Sequence, residues 1–129
     1  MSLAVDMLLV VTGTGLAPLR AIAKAALKAK HKGKITLLHG GLDDQDLYYV
    51  SELQALALKE DNFYYDNCVL NESILFEQIT VDNKMQQYLQ APNTARLYIC
   101  GPADTTSKLK LKAFLKGVPS SAILSDSFL

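Results

Sequence analysis

A chain of 129 residues, half of them hydrophobic, is long enough to bury one core and too short for two domains. Thirteen Lys and Arg balance 13 Asp and Glu, so a net charge of zero leaves no electrostatic footprint for nucleic acid or an anionic membrane surface. No segment approaches the roughly 20 continuous apolar residues that span a bilayer.

Residues 1–5 read as a cloning remnant or linker, and the domain is expected to run from 6 to 129. "MSLAVDMLLVV" lacks a basic n-region and a cleavage site, so it is not a signal peptide. "DMLLVVT" (6–12) is a strand of nearly continuous apolar residues, followed by the corner "GTG". A helix follows, with Pro18 in its first turn and Leu19, Ile22, Ala23 and Ala26 at i, i+3, i+4, i+7 spacing. Lys24, Lys28, Lys30, Lys32 and Lys34 form its solvated side and exit.

"KITLLH" (34–39) is the second strand, ending on Gly40 and Gly41. The acids Asp43, Asp44 and Asp46 suit the start of a helix whose stripe is Leu47, Val50, Leu53 and Ala57. "FYYDNCVL" (63–70) is the third strand. Residues 71–83 are the least regular stretch, a loop with a short extended piece. A weaker helix spans about 81–90, and "ARLYIC" (95–100) is the fourth strand. Thr105 and Thr106 are candidate helix caps. A helix with the stripe Leu111, Phe114, Leu115 and Val118 stops at Gly117 and Pro119, and "AILSDSF" (122–128) closes the chain. Cys68 and Cys100 lie in strand-like runs without metal-ligand spacing, which points to a reduced, cytoplasmic chain with no metal site. Strand–helix repetition with apolar strands implies an α/β fold: a three-layer, doubly wound, five-stranded parallel sheet covered on both faces.

In such sheets ligands bind outside the carboxyl ends of the strands. Gly13 and Gly15 would let a phosphate approach the backbone at a helix N-terminus, with the Thr14 hydroxyl between them. The corner G-T-G lacks the last glycine of G-x-G-x-x-G, where Pro18 stands, and it is no P-loop. By spacing alone, phosphate site and plain strand–helix turn both remain open. "YICGPADTT" adds a second glycine-bearing strand end at Cys100, Gly101 and Pro102, so the two corners define a cleft.

The motif G-T-G-L-A-P-L beside the first strand, paired with C-G-P after the fourth, resembles the Rossmann-like pyridine-nucleotide-binding domain of the ferredoxin–NADP reductase superfamily. The likeness runs the length of the chain. "LLHGGLDDQDLYYVSELQALALKEDNFYY" is similar to the second strand, loop and helix of its flavin reductase and bacterial oxygenase-reductase branches, CDP-6-deoxyglucoseen reductase-like members included. The closing "SDSF" resembles the family's acidic–aromatic tail. The resemblance implies hydride transfer from a reduced nicotinamide to FAD or FMN. It assigns Thr12, Gly13, Thr14 and Gly15, with Pro18, to the pyrophosphate loop. Gly40, Gly41 and Asp43 fall at the adenosine ribose. Cys100, Gly101, Pro102 and Ala103 form the other wall, the cysteine near the reactive carbon and Phe128 by the flavin ring. The residues alone read Cys100 equally as a buried strand end and Phe128 as core packing. Cofactors would supply the chemistry, and the protein distance, stacking and exclusion of water.

At the second strand's end, Leu42 occupies the place where relatives that take a 2′-phosphate carry arginine, and Asp43 and Asp44 follow. No Lys or Arg occurs between Lys34 and Lys59. A dianionic phosphate would be repelled there, whereas a carboxylate accepts from ribose hydroxyls, so NAD(H) is expected over NADP(H). The competing reading makes these acids helix N-terminal charges, with a distant Arg or Lys reaching over. His39 reads first as a satisfied strand-end histidine and second as a contact to ribose or adenine.

With the first strand starting at about residue 6, the family's flavin-binding barrel is not expected within this sequence. The expected partners are an N-terminal flavin-binding domain or subunit and an iron–sulfur domain or protein as electron acceptor, with no nucleic acid and no membrane segment. Alone, the domain is expected to bind nucleotide weakly and catalyse little. The alternative is a nucleotide-sensing module without redox activity of its own. A phosphoacceptor domain built on Asp66 fails because Thr12 and Gly13 stand where an acidic pair must hold Mg²⁺.

Overall fold

The run Met7–Thr12 alternates its side chains between two cores, which is why almost every residue in it is apolar. Met7, Leu9 and Val11 face one core, and Leu8 and Val10 face the other. The computed structural model describes residues 5–13, 16–89 and 95–128, with side chains up to Ser125. Thr14 and Gly15, and the side chain of Phe128, lie outside the described residues.

The elements follow in strict alternation. They are β1 (Met7–Thr12), α1 (Leu16–Lys28), β2 (Ile35–Gly41), α2 (Val50–Lys59), β3 (Phe63–Val69), α3 (Val81–Tyr88), β4 (Arg96–Pro102), α4 (Ala103–Leu115) and β5 (Ile123–Phe128), with single 3₁₀ turns at Asp44–Asp46 and Ser120–Ala122. The five strands are ordered β3-β2-β1-β4-β5 and every adjacent pair is parallel. The α/β doubly wound sheet read from the sequence is what the chain forms. Its order reverses between β1 and β4, where Val11 is registered against Cys100, so the ends of these strands are the topological switch point.

Leu16, Leu19 and Ala23 bury α1 against one face, and Leu53 does the same for α2. Arg20 clamps the two helices: its Nε lies 2.8 Å from Glu52 Oε2, and its guanidinium sits 4.8 Å from the centre of the Tyr49 ring. On the other face, α3 and α4 cover Leu8, Val10, Leu38, Leu97 and Ile99. Lys84, only 8% exposed, reaches Glu77 and, at 3.3 Å, Asp66, which also accepts from Tyr88. That network ties the irregular segment to β3 and α3. The segment's extended piece is a single bridge between Val69 and Gln78.

One expectation fails in α4. Leu111, Phe114 and Leu115 keep helical spacing but are 59%, 56% and 73% exposed; the buried positions are Thr106, Leu109 and Ala113, with Val118 beyond the helix. The reason is close approach. Thr106 and Ala113 are small, so the helix axis can lie near β4, and Thr106 Oγ1 donates to the Gly101 carbonyl at 3.2 Å. The bulkier stripe would hold the helix off the sheet. The threonines also do not cap α4: the helix starts at Ala103, which places them inside its first turns.

Candidate functional site

Gly13 ends β1 with φ +63°, the left-handed conformation that costs a side-chain-bearing residue about 1–2 kcal/mol. A Cβ built there meets nothing within 4 Å, so the space above the turn is open. Beyond Thr14 and Gly15, α1 opens at Leu16 with Pro18 third in the helix and no acidic residue in the first turn. Its unpaired N–H groups and positive dipole end are therefore uncompensated by any carboxylate of that turn.

The second corner is built against the first. A Cβ on Gly101 would lie 2.3 Å from Thr12 Oγ1, so only glycine lets β4 pass the end of β1 at this distance. The Thr12 hydroxyl is buried and has no hydrogen-bond partner among the described residues. It fills the volume a side chain at 101 would need. At the end of β2, Gly40 is equally constrained, its Cβ position lying 2.8 Å from Val81 Cβ at the start of α3.

The acidic cluster turns inward. Asp46 Oδ2 accepts from the backbone N–H of both Leu42 and Asp43 at 2.9 Å, and Asp43 Oδ1 accepts from Asn71 Nδ2 at 2.7 Å. These carboxylates close their own loop and tie it to the segment after β3.

Two cavities flank the switch point. The first, about 410 Å³, is lined by Thr12, Gly13, Gly40, Gly41 and Pro102 together with apolar Leu42, Leu70, Ile79, Val81 and Leu109. Asp46, Thr80, Asp82, Thr105 and Lys108 supply its polar rim. The second, about 190 Å³, is lined by Pro18, Leu19, Ile22, Tyr98, Cys100 and Leu124, and lies on the α1 face of the sheet. Asp43, Gly101 and Ala103 line neither cavity. Ile79, Thr80, Val81, Asp82 and Lys108 were not singled out from the sequence. Thr80 does carry a local signal, accepting from the Asn83 N–H as the cap of α3. Nothing local announces Lys108.

His39 is fully buried, edge-on to Tyr48 at 5.5 Å between ring centroids, and lines neither cavity. It departs from the satisfied core histidine expected, because among the described residues neither ring nitrogen has a hydrogen-bond partner. Burial pushes its pKa down to about 4, opposed more weakly by the Gly13 backbone and the Asp46 carboxylate. The unfolded chain therefore takes up a proton near pH 6.5 that the folded chain refuses until about pH 4. Stability is complete above pH 6.5 and falls between these values by up to roughly 3 kcal/mol. A His39→Phe variant keeps the ring and loses that titration. Its stability relative to the parent, measured by urea unfolding, is expected to rise steadily from pH 6.5 to pH 4; a constant difference would contradict the assignment. Cys68, 1% exposed, has its thiol pushed up to about 11 by burial, which suits a core residue.

Among the described residues no group of His, Cys, Asp and Glu is arranged to hold a metal, and no helix is long and apolar enough to cross a membrane. The site offers an uncompensated helix N-terminus beside a bare turn, an apolar slot with hydroxyls and one lysine, and a second apolar wall. Among the described residues it supplies shape and a helix dipole, and the carboxylates on its rim are engaged by the backbone or by Lys112.

Residues 9–108 match the model of the family described as the oxidoreductase NAD-binding domain. The electron transfer component of toluate 1,2-dioxygenase from Pseudomonas putida is 29% identical over 126 residues, covering 95% of this chain and 37% of that protein. The ferredoxin reductase component of 3-ketosteroid-9-alpha-monooxygenase from Mycobacterium tuberculosis is 33% identical over 116 residues, 84% of this chain and 31% of that protein. A cytochrome P450 reductase from Amycolatopsis superposes with a TM-score of 0.89 at 21% identity, over 96% of this chain and 38% of that one. The chain thus spans about a third of the length of the curated relatives it matches.

Proposed function

The chain belongs to the oxidoreductase NAD-binding domain family, and on that premise we propose that it is the dinucleotide half of an NADH-dependent flavin oxidoreductase. The observation that carries this reading is the contact of the two glycine corners, Gly101 against Thr12 at the switch point. A pyrophosphate lies over Gly13 and the N-terminus of α1, where no carboxylate of the first turn opposes it. The first cavity takes the adenosine: Ile79, Val81 and Leu109 offer apolar contact, and Gly40 and Gly41 give the ribose room. Pro18 and Cys100, on the opposite face, wall the nicotinamide.

When bound, the reduced nicotinamide supplies a hydride and FAD or FMN accepts it. The chain's own residues hold the rings at reacting distance and keep water out. The other two-thirds of the relatives' length leaves room for a flavin-binding domain, and their role as electron transfer and ferredoxin reductase components supports an oxygenase or iron–sulfur acceptor downstream. The cytoplasm is the proposed compartment.

Calorimetric titration of this chain with NADH and NADPH at equal ionic strength tests the proposal. Saturable binding with NADH tighter is expected. Tighter NADPH binding would overturn the nucleotide preference and keep the cleft; no binding of either at millimolar concentration would overturn the reading for this chain.

A further inference from the structure

One cation of the first cavity has no ion-pair partner of its own among the described residues. Thr105, Lys108, Leu109 and Lys112 follow one another at helical spacing along α4, on the side turned to α3 and the cavity. Lys112 is taken by Asp82 in an ion pair. Asp82 is 7% exposed. Burial raises its carboxyl, but hydrogen bonds from Lys112 and Thr80 outweigh that and hold it below the ordinary range, with a smaller pull from the charge of Lys108. Asp46, the other carboxylate on the cavity, is occupied by the Leu42 and Asp43 N–H groups. Lys108, one helical turn nearer the start of α4 and the strand ends, forms no ion pair or hydrogen bond among the described residues, although it lines the cavity. Its ammonium is a cation on a flexible stem at the polar rim of the slot, where the two carboxylates, Asp46 and Asp82, are engaged elsewhere.

We infer that Lys108 is the counter-ion of the dinucleotide's pyrophosphate, reaching across the cleft from the wall opposite the α1 N-terminus. The inference rests on the nucleotide-binding reading above. Three observations favour the pyrophosphate over a 2′-phosphate. Gly13, over which the pyrophosphate is proposed to lie, lines the same cavity as Lys108. The end of β2, where a 2′-phosphate would sit, carries Asp43, Asp44 and Asp46 with no basic residue between Lys34 and Lys59. A pyrophosphate also needs charge from two sides, and the α1 dipole supplies only one.

The test uses Lys108→Gln in the chain as it stands, titrated with NADH, NADPH, ADP and adenosine. Lys108 is exposed and forms no ion pair or hydrogen bond among the described residues, so the variant's unfolding midpoint is expected to match the parent's. NADH and ADP affinities are expected to fall about fivefold to tenfold, the scale of one partly exposed charge-assisted contact, and adenosine affinity to stay unchanged. The loss should shrink as salt rises. Unchanged NADH affinity in the variant, with the parent binding normally, overturns the role of Lys108 and leaves the nucleotide site intact. A loss confined to NADPH makes Lys108 a reader of the 2′-phosphate and overturns the pyrophosphate assignment. No binding of NADH by the parent overturns the site itself, and this inference with it.

Discussion

A Gly101→Ala variant is expected to unfold about 1–3 kcal/mol more easily than the parent and to bind NADH at least roughly tenfold more weakly. The added methyl would sit 2.3 Å from Thr12 Oγ1 and 3.4 Å from the Thr12 carbonyl oxygen. Neither atom can retreat cheaply. The carbonyl belongs to the central strand, and the hydroxyl sits on a β-branched side chain with a stiff first torsion. The strain would push the end of β4 from the end of β1, and those two ends carry both corners of the proposed nucleotide site. The cause can be isolated by combining the change with Thr12→Ala, which removes the clashing oxygen. The double variant is expected to recover most of the lost stability, a coupling of the sign and size seen between directly contacting residues. Additive losses would mean that the corners are not in contact as described.

A Leu9→Ala variant is expected to cost about 2–5 kcal/mol, the range for truncating a fully buried leucine, while leaving NADH affinity within about twofold for the molecules that remain folded. Leu9 is completely buried in the central strand, facing the core shared by α1 and α2. It lies three residues before Thr12, about 10 Å along the strand from the turn. Since domains of this kind are stable by only about 5–15 kcal/mol, the loss would show plainly in a urea transition. The two variants separate the sheet's two tasks. A loss of binding in Leu9→Ala as large as in Gly101→Ala would mean that the site has no geometry of its own beyond general stability.

The order and type of the central elements were legible because β1 and β2 are buried along almost their whole length on both faces. Burial of both sides leaves a run such as "MLLVV" with no polar position, which a central strand of a sheet covered by helices on both faces requires. The helix stripes of α1 and α2 were legible for the same reason: one face of each must be apolar. In α4 the rule misled, since two apolar stripes compete there. Thr106 and Ala113 win because the glycine corner demands close approach, and large side chains cannot provide it. The acids after β2 read as the start of the second helix, but they form a separate 3₁₀ turn ahead of α2, and the direction their carboxylates face was not legible either. Whether a carboxylate faces a ligand or its own backbone depends on local turns that residue identity leaves open.

The sequence by itself determined the doubly wound sheet, its switch point and the placing of a glycine at each of the two strand ends beside it, Gly13 and Gly101, since these follow from hydrophobic periodicity and from where a chain needs glycine. Only the tertiary structure decided that Thr12 is the reason for Gly101, that Pro18 and Cys100 lie on the face opposite the larger cavity, and that Lys108, 95 residues after Gly13, lines that cavity with it. Local patterning reports what a residue needs from its own element. Contacts between distant elements are set by how close the helices can pack, and that distance is written in pairs of residues rather than in any one of them.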